Sequence, residues 1–180
     1  MRISTLAILA LLILGSCSDN GAGEVPRSSL PVVNQGDYHV SGARDVTDAD
    51  WAALPFSRIS IGRGGCYGPC PLYSAEFLRS GVALYSGEMY TPREGEFEAE
   101  LHYDSFALLC SLAERLGLEE LNSEYQAAWT DDETITIQFE RDDASFTIQD
   151  YGRQAPPEFQ AFRALFDELI EQQGWSPVGK

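Results

Sequence analysis

Positive charge is scarce in this chain of 180 residues: 12 Lys and Arg stand against 28 Asp and Glu, a formal net charge of −16. That balance argues against a nucleic-acid binder, which needs a basic face for phosphates. It argues equally against docking on anionic lipid through a polybasic patch. Histidine is reduced to His39 and His102. A Ser-His-Asp triad would have to use one of these, and neither sits in a motif. G-x-S-x-G, H-E-x-x-H, P-loop and dinucleotide fingerprints are all missing. No catalytic residue, metal site or cofactor is therefore expected. Acidic clusters do occur, at Asp131-Asp132-Glu133 and Asp142-Asp143, but no D-x-D-x-D-G calcium loop is present. If residues 134–140 form a strand, the two clusters lie at its opposite ends, roughly 25 Å apart at about 3.3 Å per residue. They cannot share an ion, and the role expected of them is solubility and edge protection. No apolar run reaches the roughly 18 residues of a membrane span.

What is present reads first as an address. Arg2 opens the chain, and Thr5 to Leu14 form an apolar run of 10 residues, the length of a signal-peptide core. The run ends in Leu14-Gly15-Ser16-Cys17, which resembles the bacterial lipoprotein box, where the Cys is acylated and the chain is cut just before it. The resemblance implies a signal peptide over residues 1–16 and a membrane partner reached through lipid on Cys17, because each buried CH₂ contributes about 0.8 kcal/mol. By resemblance to enterobacterial lipoproteins, Ser18 in place of Asp implies the outer membrane, with the protein facing the periplasm. Residues 17–37 are rich in Gly, Ser, Pro, Asn and Asp and read as a flexible tether, reaching roughly 25 Å. Residues 38–55 form an extension of uncertain limits. Within it Val46–Leu54 reads as a short helix capped by Thr47 or Asp48 and stopped by Pro55.

A single domain is expected over residues 56–176, with a tail at 177–180. Alternation predicts strands over Phe56–Arg63 and Leu72–Leu78, with Arg79-Ser80-Gly81 turning the chain into a return strand at Val82–Ser86. Phe97, Ala99, Leu101 and Tyr103 alternate with Glu98, Glu100 and His102. Ile135, Ile137 and Phe139, then Phe146 and Ile148, form a second hairpin around Arg141-Asp142-Asp143. One helix follows Asp104 or Ser105, with Phe106, Leu109, Cys110, Ala113 and Leu116 on one face. Another follows Pro156-Pro157, carries Phe159, Phe162, Phe166, Leu169 and Ile170, and stops at Gly174. The order β-β-β-β-α-β-β-α implies an α+β fold, an antiparallel sheet with both helices packed on one face.

The most distinctive segment is Cys66-Tyr67-Gly68-Pro69-Cys70-Pro71-Leu72-Tyr73. Here the chain resembles a family of uncharacterised bacterial domains, often secreted or lipid-anchored, whose mark is a C-Y-G-x-C-P-x-Y motif after the first strand. Asp150-Tyr151 and Trp175 match two weaker features of that family, and the resemblance covers roughly Phe56 to Trp175. It implies no activity, so it transfers no catalytic residue.

With Cys17 acylated, three cysteines remain. Cys110 lies on an apolar helix stripe and reads as a buried thiol. A Cys66–Cys110 bridge would close 45 residues and contribute about 4 kcal/mol, against about 2 kcal/mol for Cys66–Cys70. The predicted burial of Cys110 and the bend at Gly68-Pro69 favour the shorter disulfide. Three roles compete for Cys66 and Cys70: a structural clamp, thiol-disulfide exchange, and copper(I) binding by soft thiolates. The clamp leads, because periplasmic cysteines pair, three residues separate these two, and no helix follows. His102 is expected to be solvated. Tyr67, held at the centre of the loop, either projects as a rigid anchor for an envelope partner, with Tyr73 just beyond, or packs back on its own domain, the commoner fate of tyrosine. A non-catalytic binding module is the leading reading of function.

Overall fold

The computed structural model of the chain describes residues 45–179. The segments read as a signal peptide and a tether, Cys17 and His39 lie outside the described residues. The elements are α1 (Asp48–Ala52), β1 (Arg58–Arg63), β2 (Leu72–Leu78), β3 (Val82–Met89), β4 (Gly95–Glu100), α2 (Tyr103–Arg115), β5 (Glu124–Gln126), β6 (Thr134–Glu140), β7 (Ser145–Tyr151), α3 (Pro157–Gln172) and β8 (Ser176–Pro177).

The strands form one sheet in the order β5-β7-β6-β1-β2-β3-β4-β8. Every neighbouring pair is antiparallel except β5 and β7, which run parallel. The α+β class and the largely antiparallel sheet hold, but the sheet is mixed and the element order is longer than expected. The short helix α1 precedes β1, and the brief edge strands β5 and β8 are additional. Other limits move as well. The fourth strand stops at Glu100, and α2 starts at Tyr103 with His102 at its N-cap and no side-chain cap. His102 is thus an exposed residue of a helix entry rather than of a strand face.

Cross-strand pairing explains the core. Ile59 faces Phe77 on one side and Phe139 on the other, and Ile61 faces Ala75 and Ile137. Alternate side chains of neighbouring strands therefore share one face. That face merges with the apolar stripes of both long helices, Phe106, Leu109 and Ala113 on α2 and Phe159, Phe162 and Phe166 on α3, into one buried cluster. Phe77 meets Phe166 at 5.0 Å between ring centroids, and Phe139 meets Phe162 at 5.3 Å. These contacts seat α3 across the centre of the sheet. Trp51 of α1 packs edge-on against Tyr103 at 5.3 Å, while a Thr47–Asp50 capping box closes the start of α1. Gly81 turns β2 into β3 with φ +81°, beneath the Trp51 ring. Among the described residues no helix is long and apolar enough to cross a membrane.

Phe166 is completely buried at the centre of this layer. Phe166→Ala should lower the unfolding free energy by about 3–5 kcal/mol in urea denaturation, with the slope of the transition unchanged. Cys110 provides a pH-dependent check. Burial pushes its thiol up to about 12 from an ordinary 9.0. Its neutral form then stabilises the fold fully below pH 9, and that contribution disappears as the pH rises through 12. The stability gap between the wild type and Cys110→Ala should shrink between pH 9 and pH 11, as read by chemical denaturation at each pH.

Candidate functional site

Four neighbouring strands end on one rim. β1 finishes at Arg63, β2 begins at Leu72, β6 begins at Thr134 and β7 finishes at Tyr151. The C-Y-G-P-C segment bridges β1 to β2 above this rim. A disulfide joins Cys66 to Cys70, with Cα atoms 5.7 Å apart. The Gly68 N–H donates to Cys66 Sγ at 3.3 Å inside the bridged turn. Where the chain re-enters β2, the ladder with β3 shifts register between Leu72 and Tyr73, a bulge that re-aims the strand.

The segment before β6 stands beside this loop. The Tyr67 N–H donates to Asp131 Oδ1 at 2.8 Å and ties the two together. Asp131 adopts φ +75°, a conformation that Asp tolerates better than most side chains. Asp132 is held from three sides. Its Oδ2 accepts Trp129 Nε1–H at 3.2 Å, its Oδ1 accepts the Glu133 N–H at 2.8 Å, and its own N–H donates to the Tyr151 hydroxyl at 3.2 Å. The Trp129 bond first, then the Glu133 N–H, hold the Asp132 carboxyl below its ordinary range. Between the loops lies an open cleft of about 410 Å³, bounded by Cys66, Tyr67, Asp131, Asp132 and Tyr151. Tyr67 is 93% exposed at its lip, and Trp129 is 53% exposed nearby.

Beneath the rim, on the helix side of the sheet, lies a buried ion network. Arg63 Nη1 donates to Glu133 Oε2 at 2.6 Å, and Arg63 Nη2 pairs with Asp167 of α3. Arg63 Nε donates to the Tyr73 hydroxyl at 3.1 Å, which in turn donates to Asp167 Oδ1 at 2.8 Å. Glu133, 7% exposed, also faces Arg153 at 3.6 Å and Arg163 at 3.7 Å through Oε1. Burial opposes the charge on Arg63, but the Asp167 hydrogen bond and the neighbouring Tyr73, Asp167 and Glu133 outweigh it and hold the guanidinium above its ordinary range. Burial, then the Asp167 charge, push the Tyr73 phenol up. Arg63 stays charged and Tyr73 stays protonated at neutral pH, so neither group trades protons there. Nearby, Asp150 is fully buried and accepts the N–H groups of Gln154 (2.7 Å) and Ala155 (3.0 Å), fixing the entry to α3.

The candidates named from the chain alone separate. Cys66, Cys70 and Tyr67 stand together on the rim, whereas Tyr73 turns inward, stacks on Tyr85 at 5.2 Å and belongs to the ion network rather than to an exposed contact surface. Cys110 is a buried free thiol on α2. His102 sits by the β2–β3 turn, at the far end of the sheet from the disulfide, where Leu101 N–H reaches Gly81 O at 2.9 Å. Among the described residues no three His, Cys, Asp or Glu side chains group as metal ligands. The acidic run at 131–133 also needs correction. Glu133 is no solubilising charge but a buried acceptor, and Asp131 and Asp132 fasten loops. The chain alone assigns no role to Arg63 or Trp129, and Tyr151 figures there only in the Asp150-Tyr151 match to the family. Arg63 and Glu133 were accessible through parity. Each lies two residues from an inward isoleucine, Ile61 and Ile135, so an ionic side chain on the apolar phase at matching strand ends signals a buried pair.

A family model described as a domain of unknown function (DUF6438) matches residues 57–170, the span that holds both rim loops and most of α3. No curated protein matches the chain.

Removing Glu133 takes one of two carboxylates from Arg63 and the facing carboxylate from Arg163, both largely buried. Glu133→Ala should therefore cost about 3–5 kcal/mol in unfolding free energy. It should also raise hydrogen exchange at the Tyr67 amide, because the segment that holds Asp131 loses its anchor. Exchange at Tyr67 matching the wild type would show that the network does not position the rim.

Proposed function

The chain belongs to the DUF6438 family of domains of unknown function, and we propose that it is a lipid-anchored bacterial envelope protein whose domain is a non-catalytic binding module. On this reading residues 1–16 are removed, Cys17 carries the lipid, and residues 17–37 let the domain stand off an outer membrane on its periplasmic side. The observation that carries the binding role is the placement of Tyr67. It is 93% exposed at the tip of a loop closed by a disulfide and fastened to Asp131. A rigid, projecting tyrosine offers contact area with little left to order on association. The Cys66–Cys70 bridge suits an oxidising compartment, and the acidic balance suits a partner other than nucleic acid or bare anionic lipid.

One contact favours a second reading, thiol-disulfide exchange. The Gly68 N–H aimed at Cys66 Sγ would stabilise a thiolate there once the bridge opened. The reduction potential separates the two readings. A value below about −300 mV marks a structural bond, and one above about −250 mV favours exchange.

Two measurements test the leading reading. Mass spectrometry of the membrane fraction should show an amino terminus at acylated Cys17, and Cys17→Ser should release the protein. A photoreactive residue at position 69 should crosslink a discrete envelope partner in cells. Adding Tyr67→Ala should reduce that product by about tenfold or more, as expected for a buried aromatic anchor, with thermal stability retained. Undiminished crosslinking would remove Tyr67 from the contact.

A further inference from the structure

We infer that the cleft beside Tyr67 receives a basic side chain, Arg or Lys, from an extended segment of a protein partner. This rests on the binding reading above and names the chemistry it would recognise. The cleft of about 410 Å³ falls within the range typical of ligand sites, roughly 300–1,000 Å³. The exposed Tyr67 and the half-buried Tyr151 are among the residues that bound it, and Trp129, also exposed, is tied to the same loop through Asp132. Such rings attract a cation placed over their faces, guanidinium above all.

The charges around the cleft select the sign of the occupant. Asp131 lies at the opening with one oxygen on the Tyr67 N–H, and among the described residues no Arg or Lys pairs with it. Both Asp132 oxygens accept from uncharged N–H groups, so its negative charge is oriented without being neutralised by a salt bridge. Arg63 and Arg163 lie within the buried network on Glu133 and Asp167. Arg153, the exposed one, reaches Glu133 at 3.6 Å and also bears on Asp132 through its charge, so Asp131 is the carboxylate left to pair with an incoming cation. An anion would meet two carboxylates at the opening, and a purely apolar group would strip water from them without return. A cation stacked on Tyr67 and paired with Asp131 satisfies both. The net charge of −16 would also steer a basic segment toward the surface. A larger hollow of about 510 Å³ beside α1 lacks this convergence, because its cation, Arg79, is already paired with Asp142 at 2.6 Å.

Asp131→Asn isolates the charge. Asn keeps the acceptor for the Tyr67 N–H and tolerates the positive φ of this position. Full-length protein in detergent micelles would be titrated by fluorescence anisotropy with a labelled, extended Ala-Ser hexapeptide carrying two arginines. The same peptide with two glutamates serves as its control. The basic peptide should bind and the acidic one should not. Asp131→Asn and Tyr67→Ala should each weaken binding about tenfold or more, while the double variant Glu98→Gln/Glu100→Gln, on the open face of β4, should leave it unchanged. Equal affinity in Asp131→Asn, equal binding of the two peptides, or an equal loss in the Glu98/Glu100 variant would overturn the proposal, the last by assigning binding to diffuse acidity. Absence of peptide binding would also overturn it. If crosslinking from position 69 still depends on Tyr67, the binding reading survives that result; if it does not, both fall.

Discussion

Arg63 is the residue on which the arrangement turns. It ends the central strand, and its guanidinium spans from the segment before β6, through Glu133, to α3, through Asp167. A buried ion pair of this kind contributes little net stability, since desolvation offsets most of the attraction. Its effect is geometric. Satisfying one cation fixes three elements relative to one another, and any displacement leaves a charge unmatched. Tyr73 completes the arrangement by accepting from Arg63 and donating to Asp167.

The rim above is a consequence of that anchoring. Arg63 stands three residues before Cys66, and Glu133 stands two residues after Asp131, so one ionic contact sets the separation of the two loops that enclose the cleft. The disulfide then limits how the first loop can move, and the Tyr67–Asp131 hydrogen bond joins the first loop to the second. Tyr151 and Asp150, adjacent in the chain, serve opposite sides of the sheet. The Tyr151 hydroxyl receives the Asp132 N–H on the rim, and the buried Asp150 carboxylate secures the start of α3.

Much of the fold was legible because its strands alternate strictly. Ile59 and Ile61, Ala75 and Phe77, and Ile135, Ile137 and Phe139 announce the inner face without help from anything distant. β5 and β8 gave no such signal. Three residues, Glu124–Gln126, and two, Ser176–Pro177, are too few to show a period, and the parallel pairing of β5 with β7 depends on where α2 delivers the chain rather than on local pattern. The start of α2 was misplaced because Asp104 and Ser105 resemble caps, whereas the helix begins before them without one. At the site, Tyr73 shares the phase of Ala75 and Phe77 and so was readable as internal. The exposure of Tyr67 was not, since no periodicity governs a disulfide-closed turn.

The two brief strands at the margins bear on how copies of this chain meet. A long, flat margin offers unpaired N–H and C=O groups that recruit further chains. Here one margin is three residues long and the other two, and the latter ends in Pro177, which has no N–H to donate. A second copy adding to either short strand would find few groups to pair with, whereas residues 145–148 of β7, beyond the reach of β5, are the stretch of margin where such a copy would have to be kept out by other means.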